Sequence, residues 1–306
     1  VTQRELPPWS GDVLDGLPSR AEDGVLEGGL PEDDPGIQWY EAKGGARFEQ
    51  RAHVPFAMSS LETPLYHDWL RGHRPEDRDE VVVDVGAGDG RNTLPFLEWG
   101  YRRLVAVEPI RAALLRLRDR ARATTSDADD RLLLARCDAR QLPLRSASAD
   151  LVLAIESLYY LNEDHDVGLA ECARVLRPGG RLLLASRTWE GALFSSLLYG
   201  GICDMLRVAA GRSLWDGPPG AQVRSRVFTE AELRAAVAEV GLKVVELRGL
   251  SLLSLLLGYL RGQGRLADGD VESLPAVADL LRHLEHAGEA HRALLLVACR
   301  EEVPGG

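Results

Sequence analysis

Seven nearly uninterrupted apolar runs, spaced by helical segments, limit what this chain can fold into more than any other feature. The runs cover 81–85, 103–108, 132–136, 150–155, 181–186, 242–248 and 292–300. Most do not alternate polar with apolar residues, which is the pattern of strands covered on both faces. Helical patterns fall between them at about 90–99, 110–122, 165–176 and 229–240. Strand and helix in turn specify an α/β fold, a doubly wound, mostly parallel seven-stranded sheet with short strand-to-helix turns. Two segments break the rhythm. Residues 188–227 and 250–290 are too long for ordinary connections, so each is expected to form a helical cap insertion over one end of the sheet.

The segments before the core differ in character. Residues 1–36 are rich in Pro, Gly and acids and carry no apolar period, so an extended or partly disordered arm is expected. Residues 37–74 form an N-terminal cap with aromatics and His, in which Ser60 is placed to cap a helix over "SLETPLYHDWL". The core then runs from 75 to 306 and carries both insertions.

Bulk properties narrow the partners. A chain of 306 residues can bury one large core or two modest ones. A formal charge of −11 and a pI near 5.2 argue against a nucleic-acid surface, which needs clustered Lys and Arg to neutralise phosphates. Cys137, Cys172, Cys203 and Cys299 show no metal-ligand spacing and read as thiols in a reducing compartment, so no metal is expected. No cationic start followed by an apolar stretch marks a secretory signal. The apolar "GLSLLSLLLGYL" at 249–260 is shorter than the roughly 20 residues of a membrane span. A cytoplasmic protein with no membrane partner is the expectation.

"VVVDVGAGDG" runs a strand straight into glycines and a helix, a device for bringing backbone close to a ligand. The spacing is Gly86-x-Gly88-x-Gly90. Nicotinamide and flavin enzymes use G-x-G-x-x-G, and position 91 here is Arg, which weighs against an oxidoreductase. Glu108 ends the second strand, where a carboxylate can accept from ribose hydroxyls, with Pro109 and Ile110 placed against an adenine face. Asp138 follows the third strand, within reach of an adenine amino group.

"VVVDVGAGDG", "AVEP", "CDARQLP", "ADLVLAIESLYYL" and "RVLRPGGRLLLAS" resemble the successive motifs of class I S-adenosylmethionine-dependent methyltransferases. The resemblance covers roughly 80–187. It extends more loosely through "VFTEAELRAAVAEVGLKVVEL" and "HRALLLVACREE", which look like the last helix and the antiparallel hairpin that ends that Rossmann-like fold. It implies S-adenosylmethionine as cofactor and S-adenosylhomocysteine as product. It also implies that Gly86, Ala87, Gly88 and Gly90 lie against the methionine part, with Asp84 beneath them. Glu108 would bind the ribose, and Asp138 with Ala139 the adenine edge.

The fourth strand ends in Glu156-Ser157-Leu158-Tyr159-Tyr160. The Asn/Asp-Pro-Pro-aromatic pattern of nucleobase and amide methyltransferases is absent there. Glu156 is then either a general base or a contact for the cofactor's cationic end. His53, His67 and His165 are further base candidates. A small, largely apolar acceptor, methylated on O, N or C, suits a roof containing Tyr40, Tyr159, Tyr160, Trp189, Tyr199, Met205 and Trp215. The roof size points to a specialised metabolite, and Arg47 and Arg51 would suit a phosphorylated one. Residues 250–290 either finish the lid or make a homodimer contact. The alternative reading keeps fold and cofactor but makes the chain a non-methylating catalyst or a regulatory binding module.

Overall fold

The computed structural model describes residues 6–15, 19–20, 23–31, 34, 37–38, 41, 58–216, 223–266, 275–277, 279–280 and 291–301. The arm contributes α1 (Ser10–Val13) and two short strands, β1 (Ser19–Arg20) and β2 (Leu26–Glu27). After α2 (Met58–His73) the core alternates as expected. It runs β3 (Val81–Val85), α3 (Thr93–Glu98), β4 (Arg103–Val107), α4 (Arg111–Thr124), α5 (Ala128–Arg131), β5 (Leu132–Arg136) and β6 (Ala149–Ile155). A 3₁₀ segment at Leu158–Asp164 leads to α6 (His165–Val175) and β7 (Leu176–Arg187).

The lid is α7 (Trp189–Gly200), α8 (Ile202–Gly211) and a hairpin of β8 (Ser213–Asp216) and β9 (Val223–Arg226). Gly201, at φ 80°, makes the corner between the two helices. Next come α9 (Glu230–Glu239), opened by a Thr229/Glu232 capping box, then β10 (Leu242–Ser251), α10 (Leu252–Gly262) and β11 (His291–Arg300). The second insertion is described over α10 and a few residues beyond it.

The sheet order is β1-β2-β5-β4-β3-β6-β7-β11-β10. From β2 to β7 neighbouring strands are parallel, and β11 lies antiparallel to both β7 and β10. The seven expected strands are all present. The strands β3 to β6 are buried on both faces, whereas the edge strand β10 leaves Val245 exposed. Val81, Val83 and Val85 of β3 pack on one side with Leu169 and Cys172 of α6 and Leu233 of α9. Val82 packs on the other with Leu65, Tyr66 and Trp69 of α2 and Leu114 and Leu117 of α4.

Three expectations change. The described part of the arm is packed, because Val13, Leu14, Val25 and Leu26 supply apolar side chains that are buried to within 2%. Its β1 and β2 extend the sheet to nine strands, and Asp23 and Glu27 pair with Arg111 of α4. Second, α2 begins at Met58, so Ser60 stands inside the helix rather than capping it. Third, Trp189 packs beneath the lid against Ala192, Val208 and Leu214 instead of facing a ligand space.

Candidate functional site

In an open parallel sheet the crevice forms where strand order reverses, because helices leaving neighbouring strands then go to opposite faces. Here that point lies between β3 and β6. A cavity of about 210 Å³ opens at the carboxyl ends of β3, β4, β5 and β6, lined by residues 85–89, 107–110, 137–139 and 155–158 among others.

The glycine turn is tied to β4 by two hydrogen bonds, from the N–H groups of Gly86 and Ala87 to the Val107 carbonyl at 2.8 and 3.0 Å. Glu108 closes the arrangement from the other side. Its Oε2 accepts from the Gly88 N–H at 2.9 Å and its Oε1 from the Ile110 N–H at 3.0 Å. Each oxygen keeps a lone pair, which is what two vicinal hydroxyls require. Burial pushes Glu108 up to about 7, against the opposing pull of those two N–H groups.

The glycines do different work. Gly86 and Gly88 line the cavity and Gly90 does not. A Cβ on Gly90 would meet Leu117 Cδ1 at 2.3 Å, so this glycine serves close packing of the turn on α4. Asp84 also lies off the cavity wall. Its Oδ2 accepts from Thr93 Oγ1 at 2.6 Å, while its buried Oδ1 has no hydrogen-bond partner among the described residues. Burial raises Asp84 to about 6.

At the third strand end, Asp138 accepts from the backbone N–H, Nε and Nη2 of Arg140 at 2.7–2.8 Å. Arg140 also reaches Asp34 of the arm at 2.9 Å and Asp164 at 2.7 Å. Asp34, Ile37, Cys137, Asp138 and Ala139 share this end of the cavity, with Pro109 and Ile110 opposite.

Glu156 occupies the other end at φ 57°, a left-handed conformation unusual for glutamate and common at functional turns. Its Oε1 accepts from Tyr66 Oη at 2.9 Å and Arg292 Nη2 at 3.2 Å. Its Oε2 accepts from Tyr159 Oη at 2.9 Å and approaches Arg292 Nη1 at 3.4 Å. Burial alone would raise this carboxyl, but the Arg292 and Arg187 guanidiniums outweigh it and hold Glu156 at about 2. Both carboxylate oxygens are thus engaged, by Tyr66, Tyr159 and Arg292.

The remaining expected residues divide clearly. Tyr160 lines the cavity, its hydroxyl accepting from Arg187 Nη2 at 3.2 Å. Tyr159 is buried behind Glu156. Trp189, Tyr199, Met205 and Trp215 lie off the cavity wall, with Tyr199 61% and Trp215 50% exposed. The lid reaches the cavity through Val223 of β9. His165 is fully buried against Phe228, with Nδ1 on Asp166 at 2.9 Å, and does not reach the cavity. His67 donates from Nε2 to the Arg91 carbonyl at 2.8 Å, and burial lowers its pKa. Tyr40, Arg47, Arg51 and His53 lie outside the described residues.

The sequence reading missed Glu62, Tyr66 and Arg292. Two signals were present. Glu62 shares a helical face with Leu65, Tyr66 and Trp69, so the 3.6-residue period places it inside. Arg292 is a charge set directly before the apolar run Ala293–Cys299 of β11.

Comparison with known proteins points to the same fold. Residues 83–184 match a family model described as a methyltransferase domain. The 27-O-demethylrifamycin SV methyltransferase of Amycolatopsis mediterranei is 34% identical over 117 residues, covering 38% of this chain and 42% of that protein. The malonyl-[acyl-carrier protein] O-methyltransferase of Geobacter sulfurreducens is 32% identical over 173 residues, covering 54% and 56%. The chain therefore spans about half the length of these curated relatives. Among solved structures, geranyl diphosphate C-methyltransferase of Streptomyces coelicolor shares the fold with a TM-score of 0.53 at 19% identity, over 78% of this chain and 77% of that one. The [4+2]-cyclase SpnF shares it with a TM-score of 0.52 at 19% identity, over 78% and 81%.

Proposed function

We propose that the chain is a class I S-adenosylmethionine-dependent methyltransferase, its residues 83–184 matching a methyltransferase-domain model, and that it moves a methyl group to a small, largely apolar organic acceptor, a specialised metabolite methylated on oxygen. The observation that carries this is the cavity where four consecutive parallel strands end, with the Glu108 carboxylate bridging the glycine turn and the start of α4.

The residues fit the cofactor. Glu108 offers two acceptor oxygens at the cavity wall, and an ideal Cβ on Gly88 meets nothing within 4 Å, so the backbone there stands open to a ligand. Ile110, Ala113 and Leu158 provide apolar surface for a purine, and the orphan Asp84 Oδ1 is a buried acceptor beneath the turn. In this reading Glu108 holds the ribose, Asp138 and Ala139 the adenine edge, and Gly86 to Gly88 with Glu156 the amino-acid and sulfonium end.

When bound, S-adenosylmethionine supplies an electrophilic methyl that needs no covalent enzyme intermediate. The chain's own task is then to orient two reactants and exclude water, which in favourable model systems contributes about 7–11 kcal/mol. Oxygen as the methylated atom, and a specialised metabolite as its bearer, are supported by what the relatives' names say of those proteins. No described helix is long and apolar enough to cross a membrane, and a cytoplasmic place belongs to the proposal.

The test is turnover with S-adenosylmethionine and a panel of hydroxylated polyketide and aromatic acceptors, read by mass spectrometry. Methylated product and S-adenosylhomocysteine should appear in equal amounts. Cofactor binding without S-adenosylhomocysteine across the panel would move the chain to the non-methylating reading. His165→Asn should keep kcat within about twofold while lowering stability by about 1–2 kcal/mol through the lost ring contact, seen in denaturant melts. A collapse of kcat with stability intact would restore His165 as a base.

A further inference from the structure

Behind the cavity wall lies a buried chain of charges that the proposed transfer does not by itself require. Arg292 of β11 is 6% exposed and Glu62 of α2 is 3% exposed. Arg292 Nε pairs with Glu62 Oε1 at 2.5 Å, and Ser254 Oγ of α10 donates to the same oxygen at 2.7 Å. The two terminal nitrogens of Arg292 face Glu156, and Nη2 also donates to Tyr66 Oη at 3.0 Å. Neither Glu62 nor Arg292 lines the cavity, whereas Glu156 does.

A buried ion pair is costly to desolvate and is often no more stable than an apolar replacement of similar shape. The arrangement is also unequal. One guanidinium serves two carboxylates, donating from both terminal nitrogens to Glu156 and meeting Glu62 only as a close ion pair at Nε. Burial pushes the Glu62 carboxyl up against the pull of Arg292, while Arg292 and Arg187 hold Glu156 low.

We propose that Arg292, backed by Glu62, is a positioning residue that fixes the Glu156 carboxylate on the cavity wall as the counter-charge to a cationic centre of the bound donor. This rests on the methyltransferase reading above. Two donor cations have the required chemistry, the sulfonium and the amino-acid ammonium. Among the described residues, the groups that act on the Glu156 charge are Arg292 from β11, Tyr66 and Glu62 from α2, Tyr159 from the 3₁₀ segment, Arg187 from β7 and Arg91 from the turn after β3.

The experiment is calorimetric titration of the full chain with S-adenosylmethionine, S-adenosylhomocysteine and methylthioadenosine, from pH 5 to 8. The first differs from the second chiefly by the sulfonium charge, and the third also lacks the amino-acid part. In Arg292→Gln the preference for S-adenosylmethionine over S-adenosylhomocysteine should fall about tenfold and become pH-dependent, because Glu156 no longer stays ionised throughout. Arg292→Lys should restore part of it. Contributions of Glu108 and Asp84 cancel in this ratio, since both ligands share the groups those residues would meet.

Should Arg292→Gln not fold, Tyr66→Phe and Tyr159→Phe each remove one hydrogen bond to Glu156 without changing charge, and each should lower the ratio about threefold. Equal weakening of both S-adenosyl ligands with methylthioadenosine unaffected assigns Glu156 to the ammonium and supports the clamp. Unchanged binding of all three ligands in every variant overturns it and leaves the methyltransferase reading standing. Failure of the wild-type chain to bind any of the three removes both.

Discussion

Alanine at Gly86, Gly88 and Gly90 should give three different results from one change. At Gly86 the backbone sits at φ 79°, and a new Cβ would fall 2.3 Å from Ser157 Cβ. That atom is anchored to the main chain, and Ser157 Oγ is committed to the Val85 carbonyl at 2.7 Å. The left-handed backbone costs about 1–2 kcal/mol for an L-residue, and the forced contact adds about 1–3 more. Gly86→Ala should therefore lose about 2–5 kcal/mol of stability, the largest single effect expected in the turn. Gly90→Ala, at φ 96°, meets the end of the Leu117 side chain and should lose somewhat less. Gly88→Ala meets nothing within 4 Å and should lose only the backbone cost of about 1 kcal/mol, while its methyl group obstructs ligand approach. Denaturant melts and S-adenosylhomocysteine titrations on all three check this. A Gly88→Ala chain that is unstable yet binds normally would reverse the assignment.

The contrast among those glycines shows what the sequence could and could not carry. Strand runs such as "VVVDV" and "LVLAI" bury both faces, so their composition alone reported a parallel sheet covered by helices. Glu108 was legible for the same reason, since strand end and glycine turn are adjacent in any fold of this kind. The role of Gly90 was not legible, because its neighbour Leu117 is fixed by how α4 lies on the sheet. The lid aromatics misled for a related reason. Trp189 and Tyr199 are large amphipathic aromatics, and whether they face a ligand, a helix or solvent depends on the angle at Gly201 and on the β8–β9 hairpin. The strand end at Glu156 could be read from the sequence, but its partners lie 90 and 136 residues away at Tyr66 and Arg292. Local spacing carries no information at that range, and those partners make Glu156 a held anion.

Proton release should accompany cofactor binding near neutral pH, and Glu108 should be its source. In the ligand-free chain burial raises Glu108 to about 7 from an ordinary 4.5. For an acid the raised folded value means the neutral form is favoured on folding. Its contribution to stability is thus full below about 4.5 and lost as pH rises through 7. That loss is at most about 3 kcal/mol, and Asp84, raised to about 6, acts in the same direction. Ribose hydroxyls donating to the carboxylate reverse the preference, because hydrogen bonds to the charged form lower its pKa. Affinity for S-adenosylhomocysteine should therefore rise with pH between about 6 and 8. Titrations at pH 6.5 in buffers of different ionisation enthalpy should show a fraction of a proton released per ligand. Glu108→Gln should abolish the release and weaken binding by about 1–3 kcal/mol, since the amide can accept from only one of the two N–H groups. It should also flatten the difference in stability between pH 5 and pH 8. Release that persists in Glu108→Gln would transfer the titration to Asp84, and affinity independent of pH in the wild type would remove Glu108 from the ribose site.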